Sequence, residues 1–149
     1  MGDDLCLVGH QRHNSWELLS RNETVTSELY CKQLERLADN LKGKQDRVYF
    51  LHDNARPHTS NVTNEKLQTL GWQMVPHLAY SSDLAPSDYH LFRSMAHFVD
   101  ESKFEDEDEV ESAVSGYFES LSLEFFQKGI YSLPERWRQV VLNNGAYIE

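Results

Sequence analysis

A short apolar run, residues 48–51, is the feature that most constrains the fold of this chain. Its four residues, Val-Tyr-Phe-Leu, are followed at once by the polar segment 52–58. An apolar run of this length, rich in β-branched and aromatic residues, predicts a buried strand. The carboxylate of Asp53 therefore lies just beyond the end of that strand.

A second carboxylate, Asp88, follows after thirty-four intervening residues. Pro86 and Ser87 come directly before it, which is typical of the first turn of a helix. A carboxylate at a strand end and another at a helix start can together hold a hard divalent cation. We therefore expect Asp53 and Asp88 to converge in space.

The remaining periodicity predicts an α/β architecture, with strands early and helices filling the last third of the chain. The predicted strands are 5–8, 16–19, 48–51 and 72–75. The predicted helices are 27–42, 59–70, 88–98, 106–119, 122–131 and 134–144. We expect apolar side chains to face inward from these helices: Leu29 or Tyr30, Leu34, Leu37, Leu41, Val62, Leu67, Leu70, Val110, Val114, Tyr117, Phe118, Phe125, Phe126, Ile130, Leu133, Trp137 and Val141.

Length and composition predict a single globular domain, residues 1–149, with 40% hydrophobic residues and a net charge of -10. The negative charge argues against tight DNA binding by this chain alone, because DNA phosphates require a basic face. The acidic run 105–111 is predicted to be a solvated helix start. No apolar stretch approaches the roughly 20 residues of a membrane span. Cys6 and Cys31 are expected to be free thiols.

Several segments resemble one known family, the mariner-type transposases of the Tc1/mariner superfamily. The segments 52–58 (HDNARPH) and 83–92 (DLAPSDYHLF) are similar to family motifs, as is the spacing of their aspartates. So are 17–19 (ELL) with 22–27 (NETVTS), and 133–141 (LPERWRQVV) with 143–145 (NNG). The resemblance extends from about residue 17 to the end of the chain.

The resemblance implies a ribonuclease-H-like fold, with a mixed sheet flanked by helices and a helical C-terminal third. It implies metal-dependent DNA cleavage and strand transfer by three aspartates that hold Mg²⁺ or Mn²⁺. Asp53 and Asp88 match the second and third of these. Family members also carry paired helix-turn-helix modules in an N-terminal half, which we expect to be absent here. The expected partners are DNA, bound weakly and without sequence preference, and a second copy of the chain, in the nucleus.

The position of the first family aspartate is occupied by Gly9, counted back from the ELL segment, and no acid lies between Asp4 and Glu17. Three explanations stay open. The carboxylate has been lost, or His10 or His13 replaces it as an imidazole ligand that favours Mn²⁺, or Asp3 or Asp4 reaches the site. An artefact in the upstream sequence is a further explanation.

Residues beside Asp53 are candidates for contacts to substrate phosphate, namely Asn54, Arg56 and His58. The guanidinium of Arg56 in particular matches phosphate oxygens. The same residues could instead hold the turn before the next helix. His52 either ends the strand or contributes a metal ligand.

Two functions follow from these observations. The first is a mariner transposase catalytic domain with a degenerate site. The alternative is a non-catalytic interaction or DNA-repair accessory module with a nuclear protein partner, as in fusions of a mariner sequence to a SET-domain methyltransferase.

Overall fold

The computed structural model describes residues 5–6, 15–17, 19–20, 22–44 and 46–148, and only the backbone of residues 5–6 and 15–16. The described residues fall into two compact units, one ending at Ser81 and one beginning at Ser82. The first unit contains β1 (Leu5–Cys6), β2 (Ser15–Trp16), α1 (Ser27–Leu41), β3 (Tyr49–Phe50), α2 (Arg56–Thr59), α3 (Asn61–Leu70) and β4 (Gln73–Met74). The second contains a 3-10 turn (Ser82–Leu84), a π-helical turn (Ser87–Phe92), α4 (Arg93–Asp100), α5 (Glu107–Ser120), α6 (Leu123–Tyr131) and α7 (Leu133–Leu142).

The strands of the first unit form two short ladders. β1 and β2 pair antiparallel, whereas β3 and β4 pair parallel with Tyr49 opposite Gln73 and Phe50 opposite Met74. Each of the four predicted strands therefore overlaps an observed one, and β3 and β4 each cover two of the four residues predicted. Residues 7, 8 and 18 of the other two predicted strands lie outside the described residues. Among the described residues, the two pairing directions occur in two separate two-stranded sheets.

The core of the first unit lies between α1, α3 and β3. α1 begins at the N-cap Thr26, whose side chain accepts a hydrogen bond from the Leu29 N–H. α3 ends at Gly71, whose φ of +69° is the left-handed conformation that glycine adopts most readily. The buried apolar cluster comprises Tyr30, Leu34, Leu37, Leu41, Phe50 and Leu67.

The predicted helix 59–70 is broken at Ser60, which has extended backbone angles and caps α3 through the Thr63 N–H. Thr63 rather than Val62 faces the core, because Thr63 lies four residues before the buried Leu67 and so shares its helix face. The prediction for Val62 was wrong, because its side chain is 51% exposed whereas Thr63 is fully buried. The Thr63 hydroxyl donates to the Pro57 carbonyl at 2.5 Å, which satisfies the buried polar group.

The second unit is helical, as predicted for the last third of the chain. α4, α5 and α6 each contribute buried apolar side chains to this unit, as do the turns before α4, whereas α7 contributes only its first residue. The buried apolar residues are Leu84, Ala85, Leu91, Met95, Val114, Phe118, Phe126 and Leu133. The acidic run forms the start of α5 as predicted. Asp106 caps that helix by accepting from the Glu109 N–H at 2.9 Å.

The inward face of α7 differs from the prediction. Leu133 is buried, but Trp137 is 40% exposed and Val141 is 76% exposed. The face is rotated because Arg136 points inward and lies over the Tyr89 ring, 4.0 Å from its centroid. The predicted core role of Trp137 was therefore wrong.

Two further predictions concern cysteines and membranes. Cys31 is a free, buried thiol. In the part of the chain that the structure describes, no helix is both long and apolar enough to cross a bilayer.

Candidate active site

Asp53 lies in the segment between β3 and α2, three residues after the buried Phe50. The parallel ladder fixes the strand end, since the Val75 N–H donates to the Phe50 carbonyl at 2.8 Å. Asp53 Oδ1 accepts from the Ala55 N–H at 2.9 Å and contacts His58 Nδ1 at 2.5 Å. Its side chain remains 53% exposed, so the carboxylate is held in place and still reachable from solvent.

The local environment keeps Asp53 ionised. Partial burial would raise the pKa of this carboxyl, but the Ala55 N–H and the His58 imidazole favour the charged form and hold its pKa below the usual value. A carboxylate oxygen that is ionised near pH 7 and lies at a strand end is suited to binding a cation.

His52 and His58 stack beside Asp53 on a tyrosine from α1. The His52 and His58 ring centroids are 5.2 Å apart with an interplanar angle of 12°, and the Tyr30 ring is 4.1 Å from that of His58. The Tyr30 hydroxyl and His52 Nδ1 share a hydrogen bond of 2.9 Å. Burial, together with the neighbouring His58, lowers the pKa of His52 to about 4, so that His52 is neutral near pH 7.

The other two predicted phosphate contacts differ in their surroundings. The Asn54 side chain donates to the His77 carbonyl at 3.1 Å, which ties the segment after β3 to the segment after β4. Arg56 is exposed at the first residue of α2. Asn54 would have to break its hydrogen bond to His77 in order to contact a phosphate. The exposed, charged Arg56 side chain could contact a phosphate directly.

Asp88 lies in the π-helical turn at the start of the helix that continues as α4, so the predicted helix start is confirmed. The two residues that follow Asp88 anchor the turn to α6. Tyr89 donates from its hydroxyl to the Gly129 carbonyl at 2.5 Å, and His90 donates from Nε2 to the Phe125 carbonyl at 2.7 Å. These bonds fix the backbone that carries Asp88, which is itself partly exposed.

Asp83, five residues before Asp88, is a buried structural carboxylate. Its Oδ2 accepts from the Ile148 N–H at 3.0 Å, and its backbone carbonyl accepts from Arg136 at 3.1 Å. The segment 83–92 is therefore a scaffold built around Asp88. Sequence inspection missed the roles of Asp83, Tyr89 and Arg136, although the length of the motif around Asp88 was a signal that more than one of its residues is constrained.

Asp53 belongs to the first unit and Asp88 to the second, and their convergence stays a prediction. Among the residues that the structure describes, no three His, Cys, Asp or Glu side chains are grouped to hold a metal ion. Gly9, at the position expected for the first family aspartate, and the candidate substitute ligands His10, His13, Asp3 and Asp4 lie outside the described residues.

Comparison with known proteins gives a consistent result. The chain is 45% identical over 141 residues to the Mariner Mos1 transposase of Drosophila mauritiana, covering 90% of this chain and 41% of Mos1. A crystallised Mos1 catalytic domain, in complex with raltegravir and Mn, matches with a TM-score of 0.86 and 43% identity, over 91% of this chain and 71% of that one. No protein-family model matches the sequence.

The chain belongs to the mariner transposase family. The structural match also confirms the α/β, ribonuclease-H-like fold class predicted from the sequence. A second relative is the human histone-lysine N-methyltransferase SETMAR, 35% identical over 140 residues, which cover 90% of this chain and 20% of SETMAR. This mariner sequence thus spans less than half the length of either curated relative.

Proposed function

We propose that the chain is a mariner transposase catalytic domain whose parent reaction is metal-assisted DNA cleavage and strand transfer at transposon ends. The observation that carries the proposal is the carboxylate of Asp53, which is fixed, ionised and exposed at the end of a core strand. Membership in the mariner family supports the reaction class. We further propose that the site is degenerate, because Gly9 stands where the first family aspartate is expected.

The carboxylate oxygens of the candidate site are the type of ligand that a hard divalent cation prefers. Asp53 and Asp88 are the residues that would hold Mg²⁺ or Mn²⁺, since carboxylate oxygens are ligands that both ions accept. Mos1 catalytic domains have been crystallised with Mn and with Mg, which supports the same ions here. When bound, the ions would supply Lewis acidity to the attacking and leaving oxygens of the DNA phosphate.

The chain's own residues would position the reaction. Asp53 and Asp88 would present charged oxygens from a strand end and a helix start. Arg56 would contact a substrate phosphate through its guanidinium. Asn54 would hold the segment on which Asp53 lies, through the His77 carbonyl.

A Mn²⁺ titration by calorimetry, paired with a DNA nicking assay, tests this proposal. We expect weak Mn²⁺ binding by the natural chain, and loss of that binding in both Asp53→Ala and Asp88→Ala. Asp39→Ala is the matched control, because Asp39 is an exposed acid on α1. Binding that survives both active-site substitutions would overturn the metal assignment. Tight binding of two ions with DNA cleavage would overturn the degenerate site.

The similarity to SETMAR favours one alternative, a non-catalytic module within a chromatin-associated function. A mariner-like stretch occupies a fifth of a protein named as a histone-lysine N-methyltransferase, so this type of sequence occurs outside dedicated transposases. A domesticated interaction or DNA-repair accessory module would have a nuclear protein partner. A chain that neither binds Mn²⁺ nor cleaves DNA, but retains a defined partner from nuclear extract, would support the alternative.

The proposed partners follow from the same relatives. Mos1 has been crystallised as a paired-end complex, which supports DNA and a second protein copy as partners of this chain. Either function acts on DNA or chromatin, so we propose a nuclear location. Fluorescence microscopy of the tagged chain, compared with the tag alone, tests the location.

A further inference from the structure

His58 is the described residue most closely tied to Asp53. Its Nδ1 lies 2.5 Å from Asp53 Oδ1, and only 16% of its side chain is exposed, against 53% for Asp53. An ionised carboxylate has no proton to donate, so the Nδ1–H of His58 is the donor. An imidazole that is this buried and already bonded is poorly placed to contact a substrate phosphate.

The His58 ring packs against two other rings, which also lie close to each other, with Tyr30 and His52 centroids 6.0 Å apart. Tyr30 packs 4.1 Å away and His52 stacks 5.2 Å away, measured between ring centroids. Tyr30 is itself buried on α1 and hydrogen-bonds to His52 at 2.9 Å. The donor that reaches Asp53 is therefore fixed to the core of the first unit rather than carried by a mobile side chain.

Two donors act on the same carboxylate oxygen. The Ala55 N–H and His58 Nδ1 both bond to Asp53 Oδ1, which restricts rotation of the side chain about both of its torsions. Because both hydrogen bonds use Oδ1, the second oxygen of Asp53, Oδ2, is the one available to bind a cation. Hydrogen bonds of this kind orient carboxylates that ligate metals and increase their affinity.

We propose that His58 is a positioning residue, which fixes the Asp53 carboxylate for a divalent ion and does not contact substrate phosphate. This inference rests on the proposed function, since it requires Asp53 to be a metal ligand. The cluster of the Tyr30, His52 and His58 rings then supports that ligand.

Nuclear magnetic resonance of the metal-free chain provides a first test. We expect a downfield Nδ1–H proton signal from His58 that disappears in Asp53→Ala. Absence of this signal in the natural chain, or its persistence in Asp53→Ala, would overturn the proposal.

A Mn²⁺ titration, followed by paramagnetic line broadening, provides the second test and tolerates weak binding. His58→Phe keeps a ring against Tyr30 but has no N–H donor, whereas His58→Asn keeps a donor near the position of Nδ1. We expect His58→Phe to weaken Mn²⁺ binding roughly 10-fold or more, and His58→Asn to restore most of the affinity. His97→Ala, at an exposed histidine in α4, should leave it unchanged.

The outcomes separate this inference from the proposed function. If Asp53→Ala weakens Mn²⁺ binding and His58→Phe does not, only the positioning role fails. If Asp53→Ala itself has no effect, both the metal assignment and the positioning role fail. A His58→Asn variant as weak as His58→Phe would also contradict positioning by the donor, provided that circular dichroism shows both variants folded.

Discussion

At the scale of single residues, the backbone of Gly129 lies directly against the His90 ring. A Cβ added at Gly129 would lie 2.5 Å from His90 Cδ2. The imidazole cannot easily move away, because it donates to the Phe125 carbonyl at 2.7 Å and packs on the Phe125 ring. The turn that carries Asp88 therefore requires glycine at position 129, where any side chain would clash with His90.

We expect Gly129→Ala to lower the free energy of unfolding by about 1–3 kcal/mol, as overpacking of a core typically does. Gly116→Ala is the matched control, since Gly116 lies within α5 and an added Cβ there meets nothing within 4 Å. That control should stabilise the chain by roughly 0.5–1 kcal/mol, because alanine is the better helix former. Urea unfolding of both variants measures the difference, and equal effects would refute the packing explanation.

The second residue-scale prediction concerns Gly9. If the first carboxylate has been lost there, Gly9→Asp should strengthen Mn²⁺ binding, because a two-metal site then regains an oxygen ligand. The gain should vanish when Asp53→Ala is added. Calorimetry of the single and double variants measures it. A gain that persists without Asp53 would place the new ligand at a different site, and His10, His13, Asp3 and Asp4 would then be tested by alanine replacement.

At the scale of elements, α7 shows why helix phase is harder to predict than helix existence. The sequence places apolar residues at 133, 137 and 141, which are helically spaced and predict one buried face. The structure instead turns Arg136 inward over Tyr89 and toward the Asp83 carbonyl. A cation–π contact and a charged hydrogen bond made inside the unit outweigh the exposure of Val141.

This correction changes the expected effect of Trp137→Ala. A fully buried tryptophan would cost about 3–5 kcal/mol on truncation, but a ring that is 40% exposed should cost nearer 1 kcal/mol. Leu133→Ala on the same helix should cost about 2–5 kcal/mol, because Leu133 is buried. Chemical denaturation compares the two variants. A larger loss for Trp137→Ala would mean that its ring is buried in solution.

The same contrast separates what the sequence could predict from what it could not. The strand within 48–51 and the helix that begins near residue 88 were located correctly, because an apolar run and a proline-led helix start act locally, although Tyr49 is exposed. Val62 was misplaced because an apolar side chain was expected in the core, whereas Thr63 shares the face of Leu67 and its hydroxyl is satisfied there by the Pro57 carbonyl. The aspartate of the candidate site was identified by its motif, whereas Tyr30 could not be linked to it, since that contact joins residues far apart in the chain.

At the scale of the whole molecule, charge opposes the proposed substrate. The chain carries 24 acidic against 14 Lys and Arg residues, a net charge of -10. Long-range attraction to DNA is therefore unfavourable, and binding must rely on local basic residues such as Arg56 and on any bound divalent ions. The acidic start of α5, where the Asp106 and Glu109 side chains accept backbone hydrogen bonds, adds to the repulsion without taking part in the candidate site.

We therefore expect the isolated chain to bind duplex DNA weakly, with a dissociation constant no tighter than about 10⁻⁶ M near physiological salt, and without sequence preference. Fluorescence anisotropy with a labelled duplex measures the affinity, and a scrambled duplex of the same length measures the preference. Affinity should fall steeply as salt rises, because phosphate contacts release counterions. Arg56→Gln should reduce both the affinity and the salt dependence, whereas Arg138→Gln, at an exposed position on α7, should change neither. Tight binding to one transposon-end sequence at physiological salt would contradict this expectation, and would require a basic recognition surface that offsets the net charge of the chain.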